Sequence, residues 1–110
     1  MNISVRVEKN TAILDCQGKL VLGEGDMALR GQILDSLKSG AKRIVLNMEK
    51  ISAMDSSGLG EIIRSYTSAK KDGVEVVLLK PNEKIFDLLT LTKLITVLPV
   101  FKTEKEALGL

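Results

Sequence analysis

The hydrophobic pattern changes period several times along the chain, and each change marks an element. Residues 3–8 alternate apolar and polar (Ile3, Val5 and Val7 against Ser4, Arg6 and Glu8), the period of a half-buried strand. Lys9-Asn10 is a turn signal, and alternation resumes over residues 11–17 with Ala12, Ile13, Leu14 and Cys16. Two runs joined this tightly predict an antiparallel hairpin. Gly18 is read as the end of the second strand, with Gly23 and Gly25 in the following loop. Helical spacing takes over at 26–38, with Leu29, Ile33 and Leu37 in line, Leu34 behind them and Gly40 as the stop. Residues 43–48 hold an unbroken Ile44-Val45-Leu46 core, the habit of a strand buried on both faces in a parallel sheet. Residues 49–55 read as a loop.

The strongest helix signal spans 57–72, with Leu59, Ile62, Ile63, Tyr66 and Ala69 on one stripe. Lys70-Lys71 fall in its last turn, where cations suit the helix dipole, and Asp72-Gly73 ends it. Residues 74–79 form another buried strand, and Pro81-Asn82 open a helix to about residue 93. Residues 95–101 contain a short last strand, marked by Pro99 as an edge or an ending. Thr103 with Glu106 forms a capping box for a terminal helical stub. The order β-β-α-β-α-β-α-β-α predicts one small α/β domain over residues 1–110, its sheet mixed, mostly parallel and opened by a β-hairpin.

Composition then excludes function classes. The 110 residues carry 16 basic and 14 acidic side chains, interleaved, and only 3% aromatics, so no basic stripe with stacking rings points to direct nucleic-acid binding. No apolar run reaches the ~20 residues of a membrane span, and no signal peptide opens the chain, so no membrane insertion is expected. The lone Cys16 has no internal disulfide partner and lies in an alternating strand, where a buried, inert thiol in a reducing cytoplasm is expected. There is no histidine, which removes the Ser-His-Asp triad, the Cys-His pair and histidine metal ligation. A serine hydrolase is therefore disfavoured, and no catalytic or metal-binding residue is expected.

One segment stands where a buried strand hands over to a helix: Met54-Asp55-Ser56-Ser57-Gly58-Leu59-Gly60. The carboxyl ends of strands in open α/β sheets are where ligands and partners are met. A helix start offers unpaired N–H groups and about half a positive charge. Two readings of the residues stand. Asp-Ser-Ser is ordinary N-capping, with Leu59 the first core residue of its stripe. Alternatively the segment is a docking and modification site, with Gly58 and Gly60 permitting close approach by another backbone.

Asp55-Ser56-Ser57-Gly58-Leu59-Gly60, preceded by Arg43-Ile44-Val45-Leu46-Asn47-Met48, resembles the signature of bacterial anti-sigma factor antagonists of the STAS domain family. The likeness continues through Val74–Leu79 and Ile85-Phe86-Asp87-Leu88-Leu89 to Thr92-Lys93-Leu94, and so covers essentially the whole chain. It implies a protein that binds an anti-sigma factor, itself an ATP-dependent serine kinase, and releases the sigma factor. The kinase then phosphorylates the first serine of the motif, here Ser56, and a metal-dependent serine phosphatase reverses the step. ATP and Mg²⁺ belong to the kinase, so this chain is expected to hold no cofactor.

Asp55, Ser57, Gly58, Leu59 and Gly60 are the expected contact residues around Ser56, with Asp55 either orienting the Ser56 hydroxyl or simply capping the helix. A phosphate at Ser56 would carry about −1.5 to −2 charges and be stabilised by the helix start by about 0.3–1 kcal/mol. Modification is thus expected to act on binding and to leave the fold intact.

The family often carries an acid after the second strand, in a Gly-x-Leu-Asp pattern. Here the matching residues are Gly18-Lys19-Leu20-Val21, with Glu24 and Asp26 as the nearest acids. Val21, Leu22 and Gly23 are expected to join the partner surface. The run Leu20-Val21-Leu22 is read either as core or as an apolar contact for the partner. Val21 is also the feature that favours the alternative: an unphosphorylated adaptor for a transporter component or a signalling complex.

Overall fold

The structure, a computed structural model, describes residues 1–109. Five strands form one sheet in chain order: β1 (Asn2–Glu8), β2 (Thr11–Leu20), β3 (Arg43–Met54), β4 (Glu75–Leu79) and β5 (Val100–Phe101). β1 runs antiparallel to β2, and every later pairing is parallel. The helices are α1 (Gly25–Lys38), α2 (Ser56–Lys71), α3 (Glu83–Leu91) and α4 (Glu104–Ala107), with a 3-10 turn at Leu94–Thr96. The predicted mixed sheet with an N-terminal hairpin is the one observed.

Alternation along the strands sorts the core into two layers. Ala12, Leu14 and Cys16 of β2, Ile44, Leu46 and Met48 of β3, and Val76 and Leu78 of β4 pack beneath Leu29 and Ile33 of α1, Ile62 and Ala69 of α2, and Ile85 and Leu89 of α3. Each fully buried Leu, Ile, Val or Met among them contributes about 1.5–3 kcal/mol by leaving water. The opposite face buries Ile13, Val45, Val77 and Leu79 beneath Ala107, with Phe101 and Leu108 beside it. β3 and β4 are therefore covered on both sides, as their unbroken apolar runs predict.

α4 is only 4 residues long, too short to hold itself. It is fastened by Arg6, whose Nη2 lies 2.6 Å from Glu104 and whose Nε lies 2.6 Å from Asp15, and by Arg43 Nη1, which donates to the Ala107 carbonyl at 2.7 Å. Within the capping box, the Glu106 N–H donates to Thr103 Oγ1 at 3.2 Å.

Several expectations are corrected. Residues 49–54 are strand, not loop, and β2 runs through Gly18 to Leu20. Register shifts between Asp15 and Gln17 and between Gly18 and Lys19 mean that β3 carries extra residues against β2, which destroys the strict alternation that marks a strand in sequence. Gly18 does not close β2. It sits within the strand at φ 118°, a conformation only glycine takes freely.

Val5 and Val7 are 45% and 73% exposed, because β1 lies at the sheet edge beyond most of the helical cover. Leu34 and Ile63, predicted on core stripes, are also exposed. The α1–α2 seam is closed instead by Glu61, which is 2% exposed and accepts from Arg30 Nε at 2.9 Å. Of the predicted 95–101 strand only Val100–Phe101 pairs with β4.

Candidate functional site

The C-terminal end of β2 is where two helices begin. The α1 and α2 N-termini both rest on Lys19-Leu20, and each does so through a glycine. A methyl group on Gly25 would overlap the Lys19 carbonyl oxygen, and one on Gly58 would overlap the Leu20 carbonyl oxygen. Both obstacles are backbone and cannot rotate away. Gly58 is buried, so the space its missing side chain leaves is taken up by the domain's own strand. Gly60 differs: a methyl there would meet only Arg64 Nη1, at 3.9 Å.

Asp55 is the N-cap of α2. It is extended, at φ −107° and ψ −174°, and its Oδ1 accepts from the Gly58 N–H at 2.9 Å. Its Oδ2 accepts from the Leu22 N–H at 3.1 Å, across 33 residues of sequence. One carboxylate thus ties the start of α2 to the β2–α1 loop. The same bonds, Gly58 first and Leu22 second, hold the Asp55 carboxyl below the usual carboxylate range. With both oxygens engaged by backbone, Asp55 makes no hydrogen bond to the Ser56 hydroxyl among the described residues. The capping role is the one the geometry displays, and the cap is the aspartate, not a serine.

Ser56 is the first residue of α2, and its side chain is exposed. Among the described residues its hydroxyl has no hydrogen-bond partner, leaving it free to meet a visiting group. Leu59 is half-buried against the core, and Gly60 is half-exposed. Across the tether, the run Leu20-Val21-Leu22 divides. Leu20 is core at 1% exposed, Val21 is half-buried, and Leu22 stands out at 72%. Gly23, at φ 89°, turns the loop.

The two nearby acids are committed elsewhere. Asp26 is buried, and its Oδ1 accepts from the N–H groups of Gly23 and Met27, both at 2.8 Å. Glu24 pairs with the N-terminal ammonium at 3.2 Å. Neither stands in for the acid missing at Val21. The loop tether through Asp26 is not legible in sequence, where Asp26 reads only as an acid in a first helical turn. No helix of the described residues is long and apolar enough to cross a membrane.

The chain belongs to the STAS domain family, whose model matches residues 2–107. Its relatives define a narrower group. An anti-sigma F factor antagonist of Paenibacillus polymyxa is 29% identical over 98% of this chain and 94% of its own length. An anti-sigma-B factor antagonist of Listeria monocytogenes is 29% identical over 99% of this chain and 97% of its own. Among solved structures, a Thermotoga maritima protein provisionally described as an anti-sigma factor antagonist superposes with a TM-score of 0.89 at 26% identity, covering 97% of this chain and 92% of that one. Unphosphorylated SpoIIAA, an anti-sigma factor antagonist, shares the fold at a TM-score of 0.76 and 21% identity, covering 98% of this chain and 96% of its own.

Proposed function

We propose that this protein is an anti-sigma factor antagonist, working by reversible binding and switched by phosphorylation of Ser56. It docks on an anti-sigma factor and so frees the sigma factor. Catalysis belongs to the partner. The anti-sigma factor, as an ATP-dependent serine kinase, transfers the γ-phosphoryl group to Ser56 Oγ: the new O–P bond forms as the bond to the departing ADP breaks, and the hydroxyl proton is lost. A serine phosphatase hydrolyses that ester and restores the binding form.

The observation that carries this reading is the exposed, unengaged Ser56 hydroxyl at a helix start. Asp55 pins that start to the loop presenting Leu22. Ser56, Leu22 and Gly23 form the outward part of the docking surface. Asp55, Val21, Gly58 and Leu59 hold it in shape from beneath. A phosphate here lies at the positive end of α2, so the domain tolerates it. The partner, packed against a neutral serine, meets a dianion in a desolvated contact, which is expensive without a matched cation.

Intact-mass measurement of the protein purified from its own cells tests the switch. One phosphoryl group, lost in Ser56→Ala, is expected, and Ser56→Asp is expected to weaken anti-sigma factor binding at least tenfold with an unchanged melting temperature. Phosphate on Ser57 alone, or equal affinity of Ser56→Asp and wild type, would refute it. The unphosphorylated adaptor rests on one feature, Val21 with exposed Leu22 where the family often has an acid. Absence of any phosphoryl group from the native protein would select it.

A further inference from the structure

β1 ends the sheet, and nothing among the described residues pairs with its outer side. The loop joining it to β2 has two residues, Lys9 and Asn10, with Glu8 opposite Thr11. In a hairpin of that length the first pair exchanges both N–H···O bonds, and bonded pairs alternate from there. Asn2, Ser4, Arg6 and Glu8 therefore spend their backbone groups on β2. The N–H and C=O groups of Ile3, Val5 and Val7 point away from it, along the open edge. Their side chains lie on the helix-covered face, opposite Cys16, Leu14 and Ala12. Ile3 packs against the core, but Val5 and Val7 are left 45% and 73% exposed.

Edges of this kind are normally blunted by a proline, a bulge or an inward charge. β1 has neither proline nor bulge over its 7 residues. Its one cation, Arg6, is turned to the other face and held by Asp15 and Glu104.

We propose that β1 pairs antiparallel with β1 of a second copy of this chain, about a two-fold axis at Val5. In that register Val5 faces Val5, Ile3 faces Val7, Ser4 faces Arg6 and Asn2 faces Glu8. Every outward backbone group of the strand is satisfied, the two Ile3-Val5-Val7 stripes merge on one face, and no like charges oppose. Competing registers do less. Centring on Arg6 sets two guanidinium groups opposite each other, and centring on Ser4 sets Val7 against Met1, outside the strand, and Glu8 against nothing. A one-residue slip matches apolar with polar positions.

The two five-stranded sheets become one continuous sheet, with both helical layers on the same side. Because the strands of the two copies run in opposite directions, the two Ser56 ends face opposite ways and both stay open. The pairing is thus independent of the chemistry proposed for Ser56.

Cross-linking and sedimentation of the full chain test the register. Opposed residues of a hydrogen-bonded antiparallel pair have Cα atoms about 5.5 Å apart, inside the disulfide range of about 4.4–6.8 Å. Val5→Cys is expected to give a disulfide-linked dimer on mild oxidation. Val7→Cys, which faces Ile3, is expected to cross-link at least tenfold more slowly although it is more exposed. The native Cys16 is buried and gives no product.

Wild type is expected to sediment as a concentration-dependent dimer. Val5→Pro, which deletes an N–H that β2 does not use, and Val7→Lys are expected to weaken self-association at least tenfold. Their circular dichroism is expected to match wild type. A wild type that stays monomeric at the highest attainable concentration would overturn the proposal. So would Val7→Cys cross-linking as fast as Val5→Cys, or dimers undiminished in both Val5→Pro and Val7→Lys.

Discussion

Replacing Gly58 with alanine asks whether the start of α2 is as tightly set on β2 as the structure shows. Alanine in a helix is ordinarily better than glycine by about 0.5–1 kcal/mol, because the unfolded chain has less freedom to lose. At Gly58 the added methyl overlaps the Leu20 carbonyl oxygen, and also crowds the Leu20 carbonyl carbon and Cγ at 2.9 Å. Overpacking of this kind costs about 1–3 kcal/mol, and a backbone obstacle belongs at the upper end. Offsetting one against the other leaves Gly58→Ala destabilised by about 2 kcal/mol, a fall in Tm of roughly 8 °C for a domain this size.

Gly60 is two residues further on, in the same helix, with open space around it. Gly60→Ala should therefore gain the helix term alone, raising Tm by about 2–4 °C. Urea titrations of both variants beside wild type make the comparison, and reading ΔG at equal m-value excludes a change in the unfolded state. Gly58→Ala should also lift the α2 start away from the β2–α1 loop, slowing or abolishing the phosphorylation proposed for Ser56. If Gly58→Ala proved as stable as Gly60→Ala, the close seating of α2 on Leu20 would be wrong, and with it the account of how the site is held.

Further outcomes follow from the ionisable groups. The Asp55 carboxyl is held low by the N–H groups of Gly58 and Leu22, so the folded chain binds a proton there less readily than the unfolded one. Its charged form stabilises the fold above the unfolded value of about 3.9, and the effect is lost as pH falls through the lower folded value. Asp55→Asn should flatten the loss of stability below about pH 4. Parallel wild-type and mutant curves of unfolding midpoint against pH would contradict this. Cys16 is pushed up to about 12, by burial first and the Asp15 charge second. Native protein at pH 8 should resist iodoacetamide and react only when unfolded; rapid native labelling would show that β2 opens at Cys16.

The element order, the parallel sheet behind an N-terminal hairpin and the motif at a strand-to-helix junction are all legible in the sequence. Each rests on local signals: hydrophobic period, turn residues and a capping aspartate. The Ile44-Val45-Leu46 and Val76-Val77-Leu78-Leu79 runs declare two-sided burial, and the structure provides it. The second half of β3 is hidden because its register shifts against β2 remove the alternation by which a strand is recognised. The exposure of Leu22 but not Leu20, and of Val7 but not Ala12, is also beyond local pattern. An apolar side chain reads the same whether a neighbouring element arrives over it or not.

Position 58 needs glycine because a strand carbonyl 38 residues earlier in the chain sits where its side chain would be. Asp55 reaches a loop 33 residues away for its second hydrogen bond. Hydrophobic period and helix caps depend on neighbours in sequence, so the sequence alone determined the order of the elements and the place of Ser56 at a helix start, but not the second half of β3. Which surfaces stay open, and which atoms hold Ser56 outward, depended on contacts between distant segments, and only the tertiary structure decided them.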